Sequence, residues 1–214
     1  MKKIEYVFWD WNGTLLDDVA LCVRTINAML KKRNLRVFET VEDYRRTFRF
    51  PVEAYYKLAG FDFEKESFDS LAFEYMDAYQ PKSLACALQD GAVETLERLR
   101  DSGVCQVVLS ASEQGNLKSQ MDRFHIASCF QEILGIEDVF AKSKLELGLQ
   151  WMAAREIDPA RALFVGDTVH DYEVACAMGC RTVLYAGGHQ DTERLKACGC
   201  PVIGRLEEIP EYIG

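Results

Sequence analysis

The sequence predicts an α/β protein, a doubly wound parallel-sheet core carrying an inserted all-helical cap, and three observations lead to it. A short apolar run, Ile4 to Trp9, stops abruptly at the acid Asp10. Residues 17 to 85 then show only helical spacing of their apolar positions. From Asp90 to the end, short apolar runs alternate with amphipathic segments, the pattern of right-handed βαβ crossovers and a sheet covered on both faces.

Ile4–Trp9 is rich in β-branched and aromatic residues and reads as a buried strand that delivers Asp10 to the sheet edge, with a sharp turn at Gly13. The segment from Asp18 to Lys32 has apolar residues at Val19, Val23, Ile26, Met29 and Leu30, a helical period. Helices are expected over Val41–Phe48, Val52–Ala59 and Lys65–Tyr79, with breaks at Pro51 and Gly60 and no strand before Pro81. The cap is therefore set at 17–85, and the core at 1–16 and 86–214.

In the core, helix Ala92–Arg100 precedes strand Val104–Leu109, and helix Gln114–Phe124 precedes Glu132–Leu134. Helix Ser143–Arg155 leads to strand Ala162–Val165, and helix Asp171–Met178 to Thr182–Tyr185. A short helix at Thr192–Ala197 and a strand at Val202–Ile203 complete the alternation. Open α/β sheets bind ligands beyond the carboxyl ends of their strands, so those ends are where chemistry is expected.

Composition narrows the function class. With 214 residues, 49% of them hydrophobic and 28% charged, the chain has the make-up of a globular protein. A net charge of −9 disfavours a nucleic-acid surface. No run nears the roughly 20 apolar residues that span a membrane. Met1-Lys2-Lys3 runs straight into the first strand without a small-residue cleavage site, so a cytoplasmic protein without a signal peptide is expected. The eight cysteines are scattered, several inside apolar segments, and read as buried free thiols. Neither Cys176-x3-Cys180 nor Cys198-x-Cys200 has the Cys-x2-Cys spacing of structural zinc.

The strand ends carry polar residues of a consistent kind. The first ends in Asp10-Trp11-Asn12-Gly13-Thr14, another in Ser110-Ala111-Ser112, and a third in Gly166-Asp167-Thr168-Val169-His170-Asp171, while Ala141-Lys142-Ser143-Lys144 opens a helix. In this order they resemble the motifs of the haloacid dehalogenase superfamily over essentially the whole chain. The resemblance extends to a Rossmann-like core, a helical cap inserted after the first motif, and the phosphoglycolate phosphatase-like group. The family's first motif is Asp-x-Asp-Gly-Thr, with a nucleophile followed by a general acid/base. Here the nucleophile position holds Asp10, and the acid/base position holds Asn12.

The resemblance implies that Asp10 forms an acyl-phosphate, splitting one displacement into two. Mg²⁺ is the implied cofactor, with Asp10, Asp167 and the backbone carbonyl of Asn12 as hard oxygen ligands. Asp171 either holds a metal-bound water or orients Asp167. Ser110 and Lys144 bind the nonbridging phosphate oxygens and neutralise developing charge. Lys142 competes with Lys144, which is favoured because the helix Leu145–Ala154 would fix it best. Ser112 competes with Ser110, and reads otherwise as a helix N-cap.

The cap concentrates Arg45, Arg46 and Arg49 among aromatics. One of them, best Arg49 beside Pro51, is a candidate clamp for a substrate carboxylate or second phosphate; the alternative is a solvated helix end paired with Glu39, Glu42 and Asp43. Asp17 and Asp18 lie just beyond the turn and read most simply as N-caps, the alternative being that one of them reaches the site. His189, in the Gly187-Gly188-His189 loop, reads as a polar contact rather than a base, and His170 and His125 show no partner. An amide at position 12 has no proton to exchange, so the leading expectation is a Mg²⁺-dependent phosphatase acting on a small phosphorylated metabolite as a monomer or homodimer, slowed by Asn12 or relying on another acid or a good leaving group. The alternatives are phosphonatase chemistry through Lys31, Lys32 or Lys57, and a binding module with impaired turnover.

Overall fold

The computed structural model describes residues 2–136 and 143–214. Six parallel strands form the central sheet in the order β5-β4-β1-β6-β7-β8. These are β1 (Tyr6–Trp9), β4 (Cys105–Glu113), β5 (Glu132–Ile136), β6 (Ala162–Gly166), β7 (Arg181–Tyr185) and β8 (Val202–Ile203). Strand β1 lies at the centre, with Phe8 in register with Val107 of β4 on one side and Phe164 of β6 on the other. The chain winds outward in both directions from it, so the C-terminal end of β1 is the switch point where a crevice opens.

Both faces of β1 are apolar. Val7 and Trp9 pack with Leu96, Val108 and Val183 on one face, while Phe8 packs with Val107, Trp151, Phe164 and Met178 on the other. Helices α5 (Ala92–Asp101) and α6 (Gln114–Asp122) cover the first face, and α7 (Lys144–Ala153) and α8 (Val169–Met178) the second. Short α9 (Thr192–Ala197) precedes β8.

Four helices form the insertion: α1 (Val19–Lys32), α2 (Val41–Thr47), α3 (Val52–Ala59) and α4 (Phe68–Ser83). They bury their own core of Ile26, Leu30, Tyr44, Tyr55, Tyr56 and Leu71. Between insertion and sheet lies a two-stranded antiparallel ribbon, β2 (Leu16–Asp17) against β3 (Ala87–Leu88). This corrects the expectation of no strand before Pro81; two residues are too few for any periodicity to register. Helix α4 also departs from its expected span. It starts where the Ser67 side chain caps the Ser70 amide, and it runs on through Pro81 to Ser83. Strand β4 extends to Glu113 instead of stopping at Leu109, with a register shift between those two residues, so Ser110 lies within the strand.

The cap is held down on the core by directed bonds. Arg45 donates to the carbonyls of Gly188 at 2.8 Å and Gly187 at 2.7 Å, and Arg194 donates to the Phe48 carbonyl at 2.8 Å. The cysteines are all free, but only Cys22, Cys129 and Cys180 are buried and Cys176 is exposed, which corrects the expectation of buried thiols throughout. Among the described residues no helix is long and apolar enough to cross a membrane.

Candidate active site

Asp10 is the first residue beyond β1, and the loop after it is pinned from below by Trp11, whose buried indole donates to Gln120 at 2.8 Å. Gly13 takes φ +77°, the left-handed conformation that glycine adopts without cost. It also has no room for a side chain, since a Cβ there would lie 2.5 Å from both Asp167 and His189. The chain therefore turns back tightly, and Thr14 donates its hydroxyl to Asp167 at 2.9 Å.

Asp167 follows β6, completely buried. Its second oxygen accepts the backbone N–H of His189 at 2.6 Å, an approach possible only because Gly188 carries no Cβ. Thr168 caps α8, and Asp171 closes a capping box as the third helical residue. One Asp171 oxygen accepts from the Asp167 and Thr168 amides at 3.1 and 3.0 Å, and the other accepts from Lys144 at 2.6 Å. Asp171 thus fixes the backbone that carries Asp167. Lys144, the first residue of α7 behind the N-cap Ser143, is buried and also donates to Asp10. Ser110 is buried at the same sheet edge and accepts the Ser112 amide at 3.1 Å. Lys142 lies outside the described residues.

Ligand oxygens of Asp10, Asp167 and Asp171 lie within 4.8 Å of one another. One ammonium faces three buried carboxylates, so the charges do not balance. Lys144 holds Asp171 below the ordinary carboxylate range against the cost of burial, and is itself pushed up by Asp10 and Asp171 despite burial. Asp10 is left short of compensation: burial, only partly opposed by Lys144 and reinforced by Asp171 and Asp167, drives it up to about 8. Burial likewise raises Asp167 to about 6, with His189 opposing and Asp171 adding to the rise. A buried, all-oxygen donor set with uncompensated negative charge fits a hard divalent cation such as Mg²⁺.

Asn12 is clamped. Its Nδ2 donates to Asp18 at 2.9 Å and to the Tyr79 hydroxyl at 2.8 Å, and its Oδ1 accepts from Ser112 at 2.7 Å. Ser112 is therefore not a helix cap; Glu113 caps α6 by accepting the Gly115 and Asn116 amides. Asp18 precedes α1 but makes no side-chain cap bond. Its carboxylate turns inward to accept from Gly13 N–H at 2.9 Å, Tyr79 at 2.6 Å and His189 Nε2 at 3.1 Å. His189 Nδ1 meets the Tyr44 hydroxyl at 2.9 Å. Burial disfavours charge on both members of the pair, but each outweighs it for the other: Asp18 is held below the ordinary range, and His189 is raised to about 9.

No sequence signal places Tyr79 and Tyr44 at the site, whereas Asp18 is expected there only as the second reading beside an N-cap, and His189 as a polar contact in a loop on the active edge. His189 follows strand β7 at the active edge, and that position was the one signal for it. The tyrosines come from the cap, and no local pattern announces them. Arg49 does not line the cavity that holds Asp10; it donates to the Thr47 carbonyl at 3.3 Å and borders a smaller pocket with Phe50, His170 and Arg194. Arg45 pairs with Glu42 at 3.3 Å, as the alternative reading has it, but is committed to the Gly187–Gly188 carbonyls and so is neither a simply solvated residue nor a free clamp.

These charges set a pH dependence. Asp10, Asp167 and His189 all hold protons more tightly folded than unfolded, so their contribution to stability is full at low pH and drains away as pH rises. The window runs from about pH 4 to 6 for Asp167, 4 to 8 for Asp10, and 6.5 to 9 for His189. In EDTA, stability should therefore fall from pH 5 to 9, by at most about 1.4 kcal/mol per pH unit for each titrating group. Added Mg²⁺ should raise the urea midpoint more at pH 8.5 than at pH 5. Equal shifts at both values would contradict the charge imbalance described.

A family model for haloacid dehalogenase-like hydrolases matches residues 7–185. A phosphoglycolate phosphatase from Synechococcus elongatus is 24% identical over 203 residues, covering 92% of this chain and 91% of that one. A haloacid dehalogenase-like hydrolase from Streptococcus pneumoniae superposes with a TM-score of 0.83 at 17% identity, covering both chains completely. Protein Tyrosine Kinase A of Mycobacterium tuberculosis gives a TM-score of 0.81 at 23% identity, again over the whole of both chains. The chain belongs to the haloacid dehalogenase-like hydrolases, and within them it is similar to the phosphoglycolate phosphatases.

Proposed function

We propose that the chain is a Mg²⁺-dependent phosphatase of the cytoplasm, hydrolysing a small phosphate monoester through an aspartyl-phosphate on Asp10. The observation that carries the reading is the buried cluster of Asp10, Asp167 and Asp171 around the Lys144 ammonium at the end of β1. Asp10, Asp167, Asp171 and the Asn12 carbonyl would hold the metal. When bound, Mg²⁺ supplies the positive charge that lets a carboxylate and a phosphate approach, and that brings Asp10 down into its nucleophilic form.

The chain's own groups do the rest. Asp10, fixed at the strand end, presents a carboxylate oxygen to phosphorus. Lys144 and Ser110 offer donors to the phosphoryl oxygens as charge builds on them. The docked cap, held by Arg45 and by the Tyr44–His189 contact, encloses the substrate over Asp10 and leaves room for the water that hydrolyses the acyl-phosphate. Lys31, Lys32 and Lys57 do not line the cavity, so no observation favours the Schiff-base chemistry of a phosphonatase.

Purified protein with Mg²⁺ should release phosphate from at least one member of a panel of phosphate monoesters, and Asp10→Asn should abolish that release. Absence of any Asp10-dependent turnover would overturn the reading.

A further inference from the structure

The cavity above Asp10 has a volume of about 400 Å³, within the size range of small-molecule sites. Its floor is the polar cluster already described. Its cap-side walls are Phe48, Phe50, Tyr55, Tyr56, Tyr75 and Met76. Among the described residues that line it, Lys144 is the only lysine and there is no arginine. Lys144 is already bound to Asp10 and Asp171. The two histidines are also engaged: His189 with Asp18, and His170 facing Glu173 at 3.6 Å while lying on the Phe50 ring at 4.7 Å. A substrate bearing a second anionic group, such as a carboxylate, would bury it without a counter-charge, which is costly. A flat apolar ring would instead meet aromatic faces and edges on several sides.

A second observation points the same way. Asn12 cannot give a proton to a leaving oxygen, and its amide is locked by Ser112, Asp18 and Tyr79. An alkoxide needs that proton; a phenolate, whose conjugate acid has a pKa of about 10, departs without it. Tyr55, on the same wall, keeps a buried hydroxyl with no hydrogen-bond partner among the described residues, as suits a group that meets a polar substituent of a ligand.

We propose that the preferred substrate is an aryl phosphate, its phosphate at Asp10 and its ring among the cap aromatics; this rests on the phosphatase reading above. An Asp10 oxygen attacks phosphorus, the phosphorus–aryl oxygen bond breaks, and its electron pair leaves on the phenolate, which is protonated by water. Water then attacks the phosphorus of the aspartyl-phosphate, the bond to Asp10 breaks to restore the carboxylate, and the water's proton passes to solvent.

The test compares kcat/KM for 1-naphthyl phosphate and phenyl phosphate with that for phosphoglycolate, with Asp10→Asn as control. The aryl esters should be favoured at least 100-fold. Naphthyl and phenyl esters differ little in leaving group but greatly in apolar area, so the naphthyl ester should have a KM at least tenfold lower. Benzyl phosphate, aromatic but with an alkoxide leaving group, should inhibit with a constant near the phenyl ester's KM while turning over at least tenfold more slowly. Met76→Lys places a cation on the wall at a position 42% exposed, where the fold tolerates it. It should lower kcat/KM for the naphthyl ester at least tenfold and raise it for phosphoglycolate, with an unchanged circular dichroism spectrum. Phosphoglycolate turned over as well as the phenyl ester, or a naphthyl ester bound no better than the phenyl one, overturns the aryl proposal and leaves the phosphatase reading standing. Loss of Asp10-dependent turnover on every ester removes the reading beneath it.

Discussion

Asn12→Asp should raise Mg²⁺-dependent turnover of alkyl phosphates by about 10²- to 10⁴-fold, the usual contribution of a positioned general acid–base group. The side chain lines the same cavity as Asp10, so a carboxyl there is placed to protonate a leaving oxygen and then to activate water. The structure adds a condition. Asn12 Nδ2 donates to Asp18 at 2.9 Å, and the substitution replaces that donor with a second carboxyl against Asp18. Two carboxyls at this distance cannot both ionise readily, so they share a proton and one of them titrates late. The gain in kcat/KM should therefore appear for the alkyl esters, be much smaller for aryl esters that need no acid, and fall at alkaline pH as the shared proton is lost. The pH–rate profile of kcat/KM with an alkyl phosphate checks it. Equal gains on alkyl and aryl esters in kcat/KM, which reports the step that expels the leaving group, would show that position 12 does not act as the acid for that group.

Lys144→Met should cost about 10²- to 10³-fold in kcat, the range seen when one preorganised donor to a developing oxyanion is removed. The side chain is nearly isosteric in length but leaves Asp10 and Asp171 facing each other without an ammonium. Removing one partner of a buried ion pair typically costs about 3–5 kcal/mol, because the remaining charge stays buried and uncompensated. In EDTA the variant should unfold at a lower urea concentration than the parent, and the deficit should widen as pH rises and the carboxylates ionise. Mg²⁺ should recover much of the stability but little of the rate, since the cation replaces lost charge without replacing a donor at the phosphoryl oxygens. Full recovery of both would show that Lys144 serves only to hold the carboxylates together.

The parts that were legible in sequence share a physical reason. Asp10 and Asp167 follow directly on apolar strands and Ser110 on the apolar part of another, and in a parallel sheet every strand end points to one edge, so chain order alone places them together. Lys144 could be favoured because it stands at the start of the expected helix Leu145–Ala154, and in the structure a capping box of Ser143 and Glu146 fixes where α7 begins. Asp171 is expected either to hold a metal-bound water or to orient Asp167, and as the N3 residue of α8 it accepts the Asp167 amide, which agrees with the second of these. Arg49 looked like a ligand because it stood in an acidic chain beside a proline, and local charge contrast carries no information about which way a cap helix faces.

Sequence by itself determined the sheet, the place of the insertion, the carboxylate just beyond the first strand and the amide at position 12, because each is written in periodicity or in contiguous residues. Only the tertiary structure decided what surrounds that amide. Asp18, Tyr79 and Ser112 reach it from a loop, a cap helix and a second strand, and His189 stands behind Asp18, 171 residues away in the chain. The aromatic wall is likewise assembled from α2–α4 and the connection between α2 and α3, and it faces Asp10 only once the cap has docked. Long-range contacts between a cap and a core depend on the angle at which two independently folded layers meet, and no local spacing encodes that angle.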